Sequence, residues 1–217
     1  MLALAAIGIS LWMVFFNTPV ENQMGIIQKI FYFHVPAAYV MYLSWATCTV
    51  ASVMYIIKNT DKFDILARSS AEIALLFGIM VMTTGPLWGK KAWGAYWVWD
   101  PRLTSAMVLT LIILSYVILR HMSGGEVIKK FSAALSIAGA AMIPLIHISV
   151  KIWRGQHPSV LGSGGLAPEM RQTLIVCMTG FTIVFIVFLK KRYRLESLRR
   201  RGDELTRLYH INQMNKQ

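Results

Sequence analysis

At 217 residues, with 56% hydrophobic and 15% charged residues and a mean hydropathy of +0.53, the chain falls among membrane proteins and is long enough for one domain of several spans. Its net charge of +12 is not accompanied by any aromatic or fold signature of a nucleic-acid binder, so no nucleic-acid partner is expected. The two cysteines, Cys48 and Cys177, lie in separate apolar runs, and neither Cys-x-x-Cys nor Cys-x-x-Cys-His occurs, which excludes a thiol-redox motif and a c-type cytochrome.

Residues 2–16 form the first apolar run, extending to about residue 20 if it is to cross a bilayer. It lacks a basic start and a cleavage site, so a retained span is expected. Residues 17–35 are a polar-to-amphipathic connection ending in Phe31-Tyr32-Phe33-His34-Val35. Pro36 is then expected to open the second span, 36–57, because a missing N–H is harmless in a helix's first turn. Residues 58–68 read as a charged loop and 69–82 as the third span, with Gly85-Pro86 ending it and Glu72 pairing with Arg68 near its start. A tryptophan-rich loop over 87–102 precedes the fourth span, 103–119. A turn at Gly124-Gly125 leads to the fifth span, 131–150, where Ala138-Gly139-Ala140-Ala141 suits close helix packing and Pro144 should bend the helix. The long segment 151–171 carries His157-Pro158, a dipeptide biased to extended backbone. The sixth span, 173–189, ends in a basic tail.

The fold class is therefore an all-α membrane protein of six transmembrane helices with a tryptophan-rich loop on its outer face. The membrane domain covers 1–189, with its tryptophan segment at 88–102, and the tail covers 190–217. Of the 22 Lys and Arg, 15 fall on the side of the two termini, so the positive-inside rule puts both termini in the cytoplasm. Arg192, Arg194, Arg199, Arg200 and Arg201 of the tail are then expected to face anionic lipid or a cytoplasmic partner.

This topology gathers the tryptophan loop, His34 and His157 on the non-cytoplasmic side. The loop reads Trp93-Gly94-Ala95-Tyr96-Trp97-Val98-Trp99-Asp100, with Trp88 upstream and Lys90, Lys91 and Arg102 flanking it. Two readings are open from the residues. Indoles collect at membrane interfaces as a belt. Alternatively, a slab of indoles between two histidines suits a large planar ligand carrying a metal. Haem fits that description, with imidazole nitrogen on iron and Lys90, Lys91 or Arg102 on the propionates. Gly94 would let such a ligand approach the backbone. Asp100 has a structural alternative as the cap of the fourth span. His147 reads as a pocket or packing residue, and His121 and His210 as surface residues. No Ser-His-Asp set, paired carboxylates or nucleotide-binding loop is present, so no classical catalysis is expected.

Trp-Gly-x-x-Trp-x-Trp-Asp, here Trp93 to Asp100, resembles the tryptophan-rich signature of the haem-handling proteins of cytochrome c biogenesis. Within that group the chain is similar to the haem exporter protein C (CcmC) family. Phe31-Tyr32-Phe33-His34-Val35-Pro36, and Ser149-Val150-Lys151-Ile152-Trp153 followed by Gln156-His157-Pro158, support the likeness along nearly the whole chain. Lys29, Tyr96 and Ile152 depart from the residues common there. The resemblance implies haem b held on the periplasmic face of the bacterial inner membrane, with His34 and His157 as axial ligands. Trp88, Trp93, Gly94, Trp97, Trp99, Asp100 and Arg102 would form the binding surface. It implies transfer to a membrane-anchored, CcmE-like periplasmic haem chaperone, beside CcmA- and CcmB-like ABC transporter subunits and a small CcmD-like membrane subunit. Two competing readings are a haem lyase acting directly on apocytochrome c and a transporter membrane subunit with no haem site of its own. The larger lyase-type relatives carry extra spans and histidines that this chain lacks.

Overall fold

The computed structural model describes residues 1–122, 125–153, 157 and 166–215. Among them the chain is helical nearly throughout: α1 (Leu2–Trp12, continued by a π turn, Met13–Asn17), a 3-10 turn (Ile26–Ile30), α2 (Phe31–Lys58), α3 (Asp61–Trp93), α4 (Pro101–Met122), α5 (Glu126–Ala140), α6 (Met142–Trp153) and α7 (Pro168–Met214). Five helical stretches are long and apolar enough to cross a membrane: Ile26–Lys58, Asp61–Trp93, Pro101–Met122, Glu126–Ser149 and Pro168–Met214. Leu2–Asn17 is a shorter apolar helix and stands where the first of the six expected spans was placed.

The helices α2 and α3 form the central antiparallel pair. They are joined by only Asn59 and Thr60, because Asn59 takes the left-handed conformation (φ 46°) and returns its N–H to the Tyr55 carbonyl. The loop expected over 58–68 is thus mostly helix. Asp61 and Asp64 sit in the first turn of α3, where their charge favours a helix start. Around this pair α1 packs on α7, and α4 lies between α3 and the α5–α6 unit. The core holds Met41, Trp45, Leu109, Ile113, Tyr116 and Ile146, all buried, with the Trp45 and Tyr116 rings edge to face at 5.8 Å. Gly139 makes this contact possible: a Cβ there would lie 2.8 Å from Ile112 and 2.9 Å from the Trp45 ring. The fifth span breaks at Ala141. Pro144 accounts for the break, since its ring clashes with the carbonyl four residues back, at Ala140.

Other expected boundaries move as well, the fifth span starting at Glu126 instead of 131 and the sixth at Pro168 instead of 173. The second helix starts at Phe31, before Pro36, because Tyr32 is fully buried against Val14, Met170, Leu174 and Cys177 and pins the preceding turn. The third helix runs through Gly85-Pro86 to Trp93, as spanning helices can when neighbouring elements support the backbone. Its stop is Gly94, at φ 77°, whose N–H returns to the Lys90 carbonyl. The fourth helix starts at Pro101. Finally, α7 continues without a break at residue 189 through the basic tail, as one helix of 47 residues.

At the end of the bundle remote from the tryptophans, charges are paired. Arg120 binds Asp64 at 2.7 Å and Arg68 binds Glu196 at 2.9 Å, with all four side chains nearly buried. Arg192 pairs with Glu72, and Arg200 with Asp64 and Asp61. Two of the five tail arginines expected to face lipid or a partner, Arg192 and Arg200, are therefore committed within the chain. Glu72 pairs with Arg68, as expected, and with Arg192 as well.

Candidate functional site

The opposite end gathers the start of α2, the end of α3, the loop 94–100, the start of α4 and the end of α6. His34 stands in the first turn of α2, inside the helix and not ahead of it. Its Nδ1 is 2.9 Å from Thr84 Oγ1, and a Cβ on Gly85 would lie 3.2 Å from its Cε1, so this side of the ring packs closely on α3 where Gly85 leaves room. The Thr84 hydroxyl has one proton and donates it to the Met80 carbonyl at 2.7 Å. It must therefore accept from His34, which places the imidazole proton on Nδ1 and the lone pair on Nε2. This is the tautomer a metal-binding histidine needs, with its second nitrogen held by an acceptor.

His157 and Arg102 both lie within electrostatic range of His34. The fold thus brings together three residues that are far apart in sequence. Pro158 and Gln156, singled out beside His157, lie outside the described residues. Arg102 also acts on Tyr42, two turns deeper on α2, and the Tyr42 ring packs against His147 at 5.4 Å. His147 is thus at the lower margin of the same region, its Nδ1 donating to the Ile143 carbonyl.

The tryptophans divide between two elements. Trp88 and Trp93 belong to α3, not to a loop, and pack edge to face at 5.7 Å. Trp93 folds back over its own helix because Gly89 has no side chain; a Cβ there would meet the indole at 3.0 Å. Trp97 and Trp99 form a second edge-to-face pair at 5.8 Å on the connecting loop. Trp99 is 77% exposed and Tyr96 58%, so much of the aromatic surface faces outward instead of filling a core. Lys90 caps the turn by donating to the Gly94 carbonyl at 2.9 Å and lies over the Tyr96 ring. Of the three cations flanking the loop, Lys90 is thus engaged in the turn and Arg102 is the one that acts on His34.

Asp100 is 4% exposed, and its Oδ1 accepts from the backbone N–H of Arg102 at 2.8 Å and of Leu103 at 3.4 Å. This is an N-cap, with Pro101 at the first helical position. It fixes the angle at which the tryptophan loop enters α4. Gly94 has its left-handed conformation as sufficient reason to be glycine, although the space beside it is also open. Thr84, Gly85 and Gly89 were not among the sequence-level candidates. The signal was there as Thr83-Thr84-Gly85 and Gly89 within an apolar run, residues that leave room or supply a hydroxyl.

The fold and this end together define a multi-pass α-helical membrane protein that displays indole rings and imidazoles at one end of its bundle. Comparison with known proteins then narrows the class. The family model described as Heme exporter protein C matches residues 1–208. Heme exporter protein C of Bradyrhizobium diazoefficiens is 34% identical over 192 residues, 86% of this chain and 73% of the relative. That of Haemophilus influenzae is 30% identical over 203 residues, 91% of this chain and 82% of the relative. A putative cytochrome c biosynthesis ccmC-like mitochondrial protein of Marchantia polymorpha is 32% identical over 186 residues, covering 83% and 76%. The chain belongs to the Heme exporter protein C family.

Proposed function

We propose that this protein binds haem b at the periplasmic face of the bacterial inner membrane and presents it to a membrane-anchored, CcmE-like haem chaperone during c-type cytochrome biogenesis. The observation that carries this reading is His34 Nδ1 at 2.9 Å from a Thr84 hydroxyl that already donates to Met80, with His157 and Arg102 within electrostatic range of the ring. Among the described residues no group of three or more His, Cys, Asp or Glu side chains could hold a bare metal ion. Two imidazoles suit an iron that brings four porphyrin nitrogens of its own. The donor set therefore fits haem as cargo. The name that the relatives bear, Heme exporter protein C, agrees with that cargo.

In this reading His34 and His157 are the axial ligands, and Arg102 pairs with a propionate. Trp88, Trp93, Trp97 and Trp99 cover the macrocycle, while Asp100 and Gly94 hold the loop that carries two of them. Haem supplies a vinyl edge for covalent attachment to the chaperone. The chain's own residues bind, orient and shield; none is assigned bond chemistry, and the protein is not an enzyme. Both termini are cytoplasmic, in keeping with the basic residues at the remote end. CcmA- and CcmB-like transporter subunits and a small CcmD-like subunit are its membrane partners.

Absorption spectra of the purified protein, oxidised and reduced, test the reading against His34→Ala and His157→Ala. A low-spin bis-histidine spectrum disturbed by each substitution is expected. Haem that is absent, or indifferent to both changes, would overturn it.

A further inference from the structure

The long helix α7 is mounted with its apolar side out. Beyond residue 189 its inward residues are Arg192, Glu196 and Arg200, spaced by four and tied to Glu72, Arg68, Asp64 and Asp61 of α3. Glu196 is 1% exposed. Leu195, at the edge where it borders Glu72, Ile73 and Leu76 of α3, and Leu198, Leu205 and Tyr209 farther round the helix follow a three-four spacing, which in a helix aligns them along one side. They are 61%, 53%, 67% and 63% exposed, with Leu208 beside them at 54%. An amphipathic helix ordinarily buries its apolar side. Here the ionic side is anchored as far as Arg200, and from 201 to 215 every residue is exposed, so the apolar stripe is left to face something else.

Helix length restricts what that is. At 1.5 Å per residue, α7 is about 70 Å long against a hydrocarbon thickness of about 30 Å. Residues 190–214 therefore extend roughly 36 Å past the membrane span along the same axis, and the stripe is carried off the bilayer. Charge restricts it further. In the heptad that puts Leu195 and Leu198 at the two seam positions, Arg194, Arg199 and Arg201 flank the seam, and all three are exposed. Asp203 and Glu204 lie away from it. A second copy would set arginine against arginine across the seam. Gly202, at a seam position, has no atom within 4 Å of where a Cβ would be, leaving a notch in the stripe.

We propose that residues 195–209 are a docking helix for a partner helix of complementary chemistry: an apolar seam flanked by Asp or Glu, with a bulky side chain seated over Gly202. The salt bridges to α3 set the rotation of α7, so docking is read directly at the base of the bundle. Nothing in this depends on the haem site.

The probe is a labelled peptide of about four heptads with Leu at both seam positions and Glu at the flanks, titrated onto the full-length protein in nanodiscs. Binding that weakens about ten-fold or more in Leu198→Asp/Leu205→Asp, and falls with salt, is expected. The same peptide with Lys at the flanks should not bind, and Arg194→Glu/Arg199→Glu/Arg201→Glu should reverse the preference. An acidic peptide that fails to bind wild type, or acidic and basic peptides that bind alike, would overturn the proposal. Two further results would also overturn it. One is a wild-type dimer dissolved by the leucine substitutions, which assigns the face to a second copy. The other is quenching of Tyr209→Trp by a lipid-borne quencher in anionic vesicles, which assigns it to the bilayer. The substituted residues are exposed, and an unchanged melting temperature confirms that the variants fold.

Discussion

Thr84→Val isolates the hydrogen bond that orients His34. Valine keeps the shape of threonine and removes the hydroxyl, so the 2.9 Å contact to Nδ1 is lost while the packing against α3 is retained. Two effects then act in the same direction. The Nδ1–H, in a half-buried ring, loses its acceptor, which costs about 1–3 kcal/mol unless the ring turns. If the ring turns, Nε2 leaves its aim. Removal of such a supporting partner lowers metal affinity by about 10–100-fold, or about 1.4–2.7 kcal/mol. The haem-loaded protein is mixed with excess apomyoglobin, and haem loss is followed by absorption. Thr84→Val should lose haem about 10–100 times faster than wild type, and Thr84→Ser, which keeps the hydroxyl, should stay close to wild type. Haem loss at the wild-type rate in Thr84→Val would refute the assigned tautomer. Failure of His34→Ala to alter the spectrum would instead refute the ligand, so the two errors are separable.

Glu196→Leu and Arg68→Met each remove the shortest contact of a nearly buried charge that keeps others, Glu72 for Arg68 and Arg192 and Arg200 for Glu196, and each should lower stability by about 1–3 kcal/mol. The double variant should recover much of that loss, measured as apparent melting temperature in detergent, whereas additive losses would show that the pair is uncoupled. Gly180 and Gly202 lie on the same helix and should respond oppositely to alanine. A Cβ at Gly180 would meet Ser10 Oγ at 2.5 Å and the Ala6 carbonyl at 3.2 Å, which presses α1 off α7 and destabilises. At Gly202 the space is open, so alanine should raise helix stability by about 0.5–1 kcal/mol. Circular dichroism and thermal melts of the two variants check both signs.

Hydropathy located the spans well and their ends poorly, for a reason visible in α3 and α7. A hydropathy window stops where charge begins, but a helix stops only where its backbone is capped. At the start of α3 the charged residues Asp64 and Arg68 continue the helix inward, since each finds a partner from another helix: Arg120 or Glu196. Those partners are 56 and 128 residues away, beyond any local pattern. Proline misled in the same way. Pro36 and Pro86 both sit inside helices, while Pro144 does break one. The difference lies in the tertiary support around the first two, such as Tyr32 buried against α1 and α7. At the site, the two histidines and the run of tryptophans were legible because residue type carries their chemistry. Thr84, Gly85 and Gly89 were not, because a hydroxyl and two missing side chains acquire meaning only once α2 lies across α3.

The two ends of the bundle handle polarity in opposite ways, and that contrast bears on where the protein exchanges with partners. At the remote end, four carboxylates of Asp61, Asp64, Glu72 and Glu196 are each matched to a cation, and two of the four, Asp64 and Glu196, are almost wholly buried. Charges so paired resist rearrangement, because freeing any one of them leaves its partner uncompensated in a poorly solvated setting. At the aromatic end the contacts are of another kind. There His34 is held by one hydroxyl, Trp99 is 77% exposed, and the loop 94–100 is fixed by a cap at each side, Gly94 and Asp100. The proposed haem site, which fills and empties on that reading, calls for such a mounting, firm in its backbone and open in its side chains. The charged base fixes α3 against α4 and α7, and with it the position from which Thr84 meets His34, while Trp99 and Tyr96 stay exposed where the proposed cargo would sit.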